Sequence, residues 1–511
     1  MSVNRREFMR VSAAFAALGG VTSALGADVA RSNLRMGILS DIHVPPKDPK
    51  WFEKALRYFD AQKVDGVLIT GDLTTWNKFH EFETVASTWF KVFPNDRRSD
   101  GEHVERLFIT GNHDVDGFAY DGAKFKSEEE ARPESFFFHR EELWRRLFNE
   151  DYKPILCRTV KGYKFVLRNW YSHLDKAFGK PLQREENPTP AFFAAHADEF
   201  PPDKVFFYAQ HDVLNDTVNA PWLVRGVRFG NGQDDGTNTK VLSRFPNCVA
   251  FTGHSHNTLT DEQSIWQGAF TAVNCSCECG FAFSYPGREN GFSVLDFNRD
   301  PPFEMPMFDH ASVIQGMLMD VFDDRITLHR VEFKHDQTLG PDWVIPLFGG
   351  RTVPPSGTPK YDPKARAAAA KPPTFSADAK VTVREVKDGH RRAKDGRHRD
   401  KEPREQVIVS FPPVTTAHSP SRAFDFSVTA ETRIGDCKCI LQERRVFSPN
   451  TFMAEAQDVE PVTCAFPRCE LPKKRDIRFR VVPFDCWGNE GNPIISDWTR
   501  LKIFKEGEPK T

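Results

Sequence analysis

The hydrophobic period of the chain changes repeatedly between Leu34 and Phe333. "LRMGIL" is a short apolar run, "WFEKALRYFDAQ" spaces its apolar residues by three and four, and "GVLIT" is apolar throughout. "FHEFETVASTWFKVF" returns to the helical spacing before "ERLFIT" closes the series. Strand, helix, strand, helix, strand is the alternation of a largely parallel sheet with right-handed crossovers. Further strands are predicted over 162–170, 204–212, 247–256 and 291–297, and as a pair around 312–333. From residue 375 the period is two, in "AKVTVREVK", "EQVIVSFPP", "FDFSVTAET", "CILQERRVFS" and "DIRFRVVPF", which predicts an all-β sandwich. The intervening 345–374 is rich in Pro, Gly, Ala and Lys and reads as a linker between a domain over 31–344 and one over 375–511.

The predicted strands share a type of ending. Asp41 and His43 follow the first, Asp72 the second, and Asn112, His113 and Asp114 the third. His211 follows the strand at 204, and His254 and His256 the strand at 247. In open α/β sheets ligands bind at the carboxyl ends of strands, so the pattern sets carboxylate, imidazole and amide oxygen along one sheet edge. Imidazole with carboxylate suits Fe, Mn, Zn or Co better than Ca or Mg. Glycines precede Asp72, Asn112 and His254, and are expected to let the backbone turn tightly into the site.

Charge and cysteine content narrow the reading. The 511 residues carry a net charge of −2, so no specific nucleic-acid binding is expected and any affinity for phosphate must be local. The alternating Cys275, Cys277 and Cys279 lack zinc-module spacing and read as half-buried strand packing. Cys437, Cys439, Cys464, Cys469 and Cys486 leave disulfide pairing open. Residues 1–30 place Arg5, Arg6 and Arg10 before a short apolar stretch and a small-residue segment. This resembles a twin-arginine signal peptide, which implies a bacterial protein delivered by the twin-arginine translocation machinery to the periplasm or beyond. That stretch is too short to span a membrane, so the mature protein is not expected to be membrane-embedded.

Taken in order, Asp-x-His, Gly-Asp, Gly-Asn-His-Asp, a solitary His and Gly-His-x-His resemble the calcineurin-like metallophosphoesterases over about residues 34–335. The resemblance implies a four-layer α/β/β/α sandwich and two divalent or trivalent metal ions. Asp41, His43 and His256 would bind the first ion, Asn112, His211 and His254 the second, and Asp72 would bridge them. It further implies hydrolysis of a phosphate ester by a metal-bridging hydroxide. The absence of a Tyr from "TGDLTTWNKF" sets the purple acid phosphatase branch aside. The branch it looks closest to includes cyclic-nucleotide and glycerophosphodiester phosphodiesterases. A phosphodiesterase is therefore the leading expectation, with a phosphomonoesterase, or a binding protein acting through the C-terminal sandwich, as alternatives. His113 is the candidate to protonate the leaving oxygen or to steady transition-state charge, with Asp114 orienting its ring. The insert 115–152 would wall the pocket or pack as a cap, and Trp170, Tyr171 and His173 fall near the same edge without an assigned role. The "WGNEGNPI" turn and "SDWTRLKIF" resemble the closing hairpin of a fibronectin type III domain. Because all candidate ligands precede the linker, the sandwich is expected to be accessory to the site.

Overall fold

The computed structural model describes residues 32–501 except 46, 183–184, 220–234, 280–287, 290–291, 294–312, 388–404, 455–459 and 473. The expected signal peptide, most of the strand expected over 291–297 and the charged run 388–404 lie outside the described residues.

The apolar runs become β1 (Leu34–Leu39), β2 (Gly66–Thr70) and β3 (Glu105–Ile109), mutually parallel. Between them run α1 (Lys50–Ala61) and α2 (Phe79–Val92). Helix α1 buries Phe52, Ala55, Leu56 and Phe59, an i, i+3, i+4, i+7 stripe that docks on the sheet. The expectation of one sheet edge is corrected here, because β4 (Ile155–Val160), β5 (Tyr163–Arg168), β6 (Phe206–Ala209) and β7 (Cys248–Thr252) belong to a second sheet. β8 (Ile265–Gln267) and β9 (Thr271–Asn274) complete it, in the order β8-β9-β7-β6-β5-β4. β10 (Gln315–Val321) and β11 (Arg325–Glu332) return antiparallel to the first sheet, beside β1.

Side-chain alternation decides how the sheets stack. Met36, Ile38, Leu68 and Leu107 of the first sheet share a core with Phe165, Phe207, Val249 and Phe251 of the second. The opposite face of the first sheet, with Val67, Ile69 and Phe108, packs under Phe59, Phe82 and Trp89 of the helices. Outside the second sheet, Phe206, Tyr208 and Ala250 meet Phe193 and Leu242 of the helices Thr189–His196 and Thr237–Leu242. Both faces of each sheet are covered, which is why the strands read as continuous apolar runs. The result is the α/β/β/α sandwich.

The Pro- and Ala-rich segment is not a free tether. Tyr361 is 4% exposed, and its hydroxyl accepts from Val344 N at 2.7 Å. The Arg366 guanidinium pairs with Glu262. Pro and Ala suit an ordered strap as well as a loose one. Beyond it, β12 (Thr382–Lys387), β13 (Glu405–Phe411) and the strand Val462–Pro467 form one antiparallel sheet. Asp425–Ile434, Cys437–Phe447 and Asp476–Phe484 lead another. Val409, Phe411 and Phe466 of the first meet Phe426, Val428 and Phe479 of the second in one apolar core.

Candidate metal centre

The carboxyl ends of β1, β2 and β3 meet those of β6 and β7 across the interface between the sheets. Asp41, His43, Asp72 and His256 form one group of buried donors, and Asp72, His211 and His254 form a second. Asp72 belongs to both. One of its oxygens, Oδ2, lies 3.1 Å from His211 Nε2 and 3.5 Å from His43 Nε2. Asp41 Oδ1 lies 3.0 Å from His256 Nε2, and His254 Nδ1 lies 3.2 Å from His211 Nε2. Asn112 brings its Oδ1 within 3.0 Å of His211 Nε2. All seven proposed ligands thus converge on one place.

The backbone at this place is strained. Asp41, His43, Asp72, His254 and His256 have φ of 48°, 38°, 51°, 64° and 47°, in the left-handed region that costs a residue with Cβ about 1–2 kcal/mol. The strand ends therefore turn through the ligands themselves, which corrects the expectation for the glycines. Only Gly71, at φ 95°, is itself in that region. At Gly111 a Cβ would collide with Asp72, and at Gly253 with Ser40 and Asp41. These two glycines make room for neighbouring ligands rather than making the turn.

Hydrogen bonds fix which atoms face inward. His211 Nδ1 donates to Thr70 O at 2.8 Å, leaving Nε2 for the site. The Asn112 amide donates from Nδ2 to the Tyr120 hydroxyl at 3.0 Å, which turns its oxygen inward. His254 N donates to Asp41 Oδ2 at 2.9 Å, and His113 N to Asp72 Oδ1 at 2.8 Å, so each carboxylate is braced by a neighbouring motif.

The donor set fits a pair of cations. Burial opposes charge on His211, but Asp72 and Asp41 outweigh it and raise its pKa to about 9. Burial likewise opposes charge on His256, yet Asp41 and Cys277 hold it well above the ordinary range. Burial pushes Asp72 up, and His211 with His113 pull it well below the usual carboxylate range. The carboxylates demand positive charge, and without a metal the imidazoles supply it as protons. His43 and His254 are driven down to about 3, foremost by burial, and are already in the neutral form that a metal binds.

His113 is half-buried, with its ring 4.8 Å from that of His43 and 4.9 Å from that of Tyr120. Its Nδ1 meets Thr75 O at 2.7 Å. Asp114 does not orient it. The Asp114 carboxylate accepts instead from Gly111 N at 2.8 Å, Leu73 N at 3.0 Å and both Thr74 N and Thr74 Oγ1 at 2.8 Å. With Asp114 at the third position of the short helix Asn112–Val115, its nearest donors are backbone groups. Burial, then the charge of Asp72, raises its pKa to about 7.

Sequence reasoning missed Tyr120, Thr75 and a role for Trp170. The insert both walls the site, through Tyr120, and packs, through the buried Phe118. Trp170 sets its ring 5.9 Å from that of His211 and donates from Nε1 to Asp116 Oδ2 at 2.9 Å. Motif spacing carries no signal for such contacts between distant segments. His80 is exposed on α2.

Residues 34–258 match the family described as Calcineurin-like phosphoesterase. Among solved structures, a dimetal phosphatase from Danio rerio is 10% identical with a TM-score of 0.33, covering 62% of this chain and 99% of that one. A predicted phosphoesterase from Streptococcus pneumoniae is 12% identical with a TM-score of 0.24, covering 61% and 98%. No curated protein matches the chain. Residues 34–258 thus match the calcineurin-like phosphoesterase family, and the two Asp and His groups that meet at Asp72 lie within that span.

Proposed function

We propose that the protein is a two-metal phosphodiesterase exported to the bacterial periplasm, with a fibronectin type III-like domain at its C-terminus. The observation that carries the hydrolase reading is Asp72, whose carboxylate is shared by the two donor groups. Asp41, His43 and His256 would hold one cation, Asn112, His211 and His254 the other, and Asp72 both. Such a pair, once bound, supplies Lewis acidity and lowers the pKa of a water between the ions.

The chain itself handles the leaving group. A carbonyl only accepts, so the contact with Thr75 O puts a hydrogen on His113 Nδ1 and leaves Nε2 as the nitrogen offered to substrate. In its imidazolium form that nitrogen donates to the departing alkoxide or to an equatorial phosphoryl oxygen. Tyr120 holds Asn112, and the aromatic rings of Trp76 and Tyr120 flank His113. The preference for diesters is supported by the motif series, which resembles the branch that contains phosphodiesterases.

The test is hydrolysis of bis(p-nitrophenyl) phosphate against p-nitrophenyl phosphate by protein loaded with Mn(II), Zn(II), Co(II) or Fe(II), alongside metal analysis. Diester turnover above monoester turnover is expected. The reverse ratio would make it a phosphomonoesterase. Two bound metals with neither activity would leave the C-terminal sandwich to act as a binding module.

A further inference from the structure

The cysteines at 275–279 do not form the half-buried strand that their alternation suggests. β9 ends at Asn274, and Ser276 takes a φ of 62°, turning the chain out of the sheet. The turn carries the next residues back to the first-metal ligands. Glu278 N donates to Asp41 O at 3.2 Å, and Gln315 N donates to Cys277 O at 2.9 Å. Cys279 Sγ then lies 3.3 Å from His256 Nδ1.

We propose that Cys279 is a positioning residue for His256, holding the outer nitrogen of that imidazole so that its inner nitrogen stays on the first metal. The proposal rests on the two-metal reading. His256 presents Nε2 to Asp41 Oδ1 at 3.0 Å, so Nδ1 is the outer nitrogen. An imidazole ligand is oriented by what its second nitrogen meets. For His211 that is the Thr70 carbonyl, and for His256 Nδ1 it is the Cys279 sulfur at 3.3 Å, with the Cys277 thiol also bonded to the ring. His43, His256 and Cys279 also bring donor atoms within 4.8 Å of one another, which raises the alternative that the thiol is itself a ligand. The geometry favours the outer role. The two nitrogens of one ring point apart, and the sulfur approaches the nitrogen that faces away from Asp41.

The C-terminal sandwich backs this contact. Phe452 packs with Cys277 and Val313, and Phe447 and Cys279 pack against the same cluster. Gln315 joins the parts. Its Nε2 donates to Phe452 O at 2.8 Å, while its Oε1 accepts from Leu259 N at 2.8 Å and Ser276 Oγ at 3.0 Å. The loop that follows His256, the turn before Cys277 and the sandwich thus meet on one amide.

The test uses the full chain and its Cys279→Ala and Cys279→Ser variants, titrated with Co(II) against a chelator and followed by electronic absorption. Cys279→Ala should weaken one of the two sites by about 10–100-fold, the usual effect of losing an outer partner, and leave the other within about twofold. Cys279→Ser should recover most of the loss, since a hydroxyl can accept from Nδ1. No sulfur-to-cobalt charge-transfer band should be seen in the unsubstituted protein. Site affinities unchanged in the alanine variant would overturn the proposal. So would a charge-transfer band lost in both variants, which would make Cys279 a ligand. If Cys279→Ala does not fold, the nearly isosteric serine variant decides: affinity near that of the unsubstituted protein, without a charge-transfer band, supports the proposal, and loss of one site overturns it. Failure of the unsubstituted chain to bind two cobalt ions would instead remove the two-metal reading on which the proposal stands.

Discussion

His113 sits beside the ligands without joining either donor group. His113→Ala should therefore fold and keep both metals yet lose about 10²–10⁴ in turnover. The loss should be smaller on nitrophenyl esters than on alkyl phosphodiesters, because nitrophenolate leaves without a proton. Kinetics on both ester types with metal analysis check this, and a collapse in metal content would make His113 a ligand. The imidazoles proposed as ligands give a pH dependence of known sign. In metal-free protein the pKa of His211 is raised to about 9, and a metal takes only the neutral ring. Below about pH 9 binding must expel that proton, and the raised His256 adds another, so metal affinity should rise with pH through the neutral range. Calorimetry in buffers of different ionisation enthalpy should show proton release on loading at neutral pH, and binding without proton exchange would contradict the assignment.

Strand ends hold the ligands, and side chains stitch the ends together. Asp114 ties the loop after β2 to the turn after β3 through Gly111, Leu73 and Thr74. Thr110 and Asn169 tie β3 to the second sheet, with Asn169 Oδ1 accepting from Thr110 N at 2.8 Å and Thr110 O from Trp170 N at 3.0 Å. Asp114→Ala would orphan several buried donors, each costing about 1–3 kcal/mol. It should lower stability by more than about 3 kcal/mol and weaken both metals, because the loop of Asp72 is released. A variant with full stability and metal content but reduced turnover would return Asp114 to a direct role in catalysis. Denaturant unfolding and metal analysis separate the two.

At the scale of the whole molecule, the sandwich is joined to the site by more than a tether. Arg422 Nη2 donates to Thr260 O at 2.8 Å, Gln263 Nε2 to Cys486 O at 2.5 Å, and the Thr260 hydroxyl bonds Thr451 O. A chain ending at Lys371, which ligand positions alone would leave competent, is therefore expected to lose its first metal preferentially. Equal retention of both metals in the folded fragment would show that the sandwich is dispensable to the site. Export is tested at this scale too. Replacing Arg5 and Arg6 with lysines keeps the charge, and should leave folded protein in the cytoplasm if the twin-arginine route is used. Undiminished periplasmic protein would point to another route.

The order of strands and helices was legible because both faces of each strand are buried, and continuous apolar runs broken by polar tips leave a local signal. The residues that converge at Asp72 were legible for the same reason, as polar groups at the tips of apolar strands with glycines in close support. Asp114 was misjudged because adjacency along the chain to His113 says nothing about where a carboxylate on the first turn of a helix finds its donors. Thr75 and the sulfur of Cys279 could not be read, since each reaches its partner across loops distant in sequence, and Tyr120 reaches the nearby Asn112 through a turn that no motif marks. By itself the sequence determined the elements, the ligand types and their order, which depend on period and on local chemistry. Only the tertiary structure decided which faces of the two sheets meet, that Asp114 binds the loop after β2 rather than His113, and that the C-terminal sandwich packs against the turn at Cys277. Those outcomes depend on which apolar faces meet, and the pattern along one strand does not name the face it will pack against.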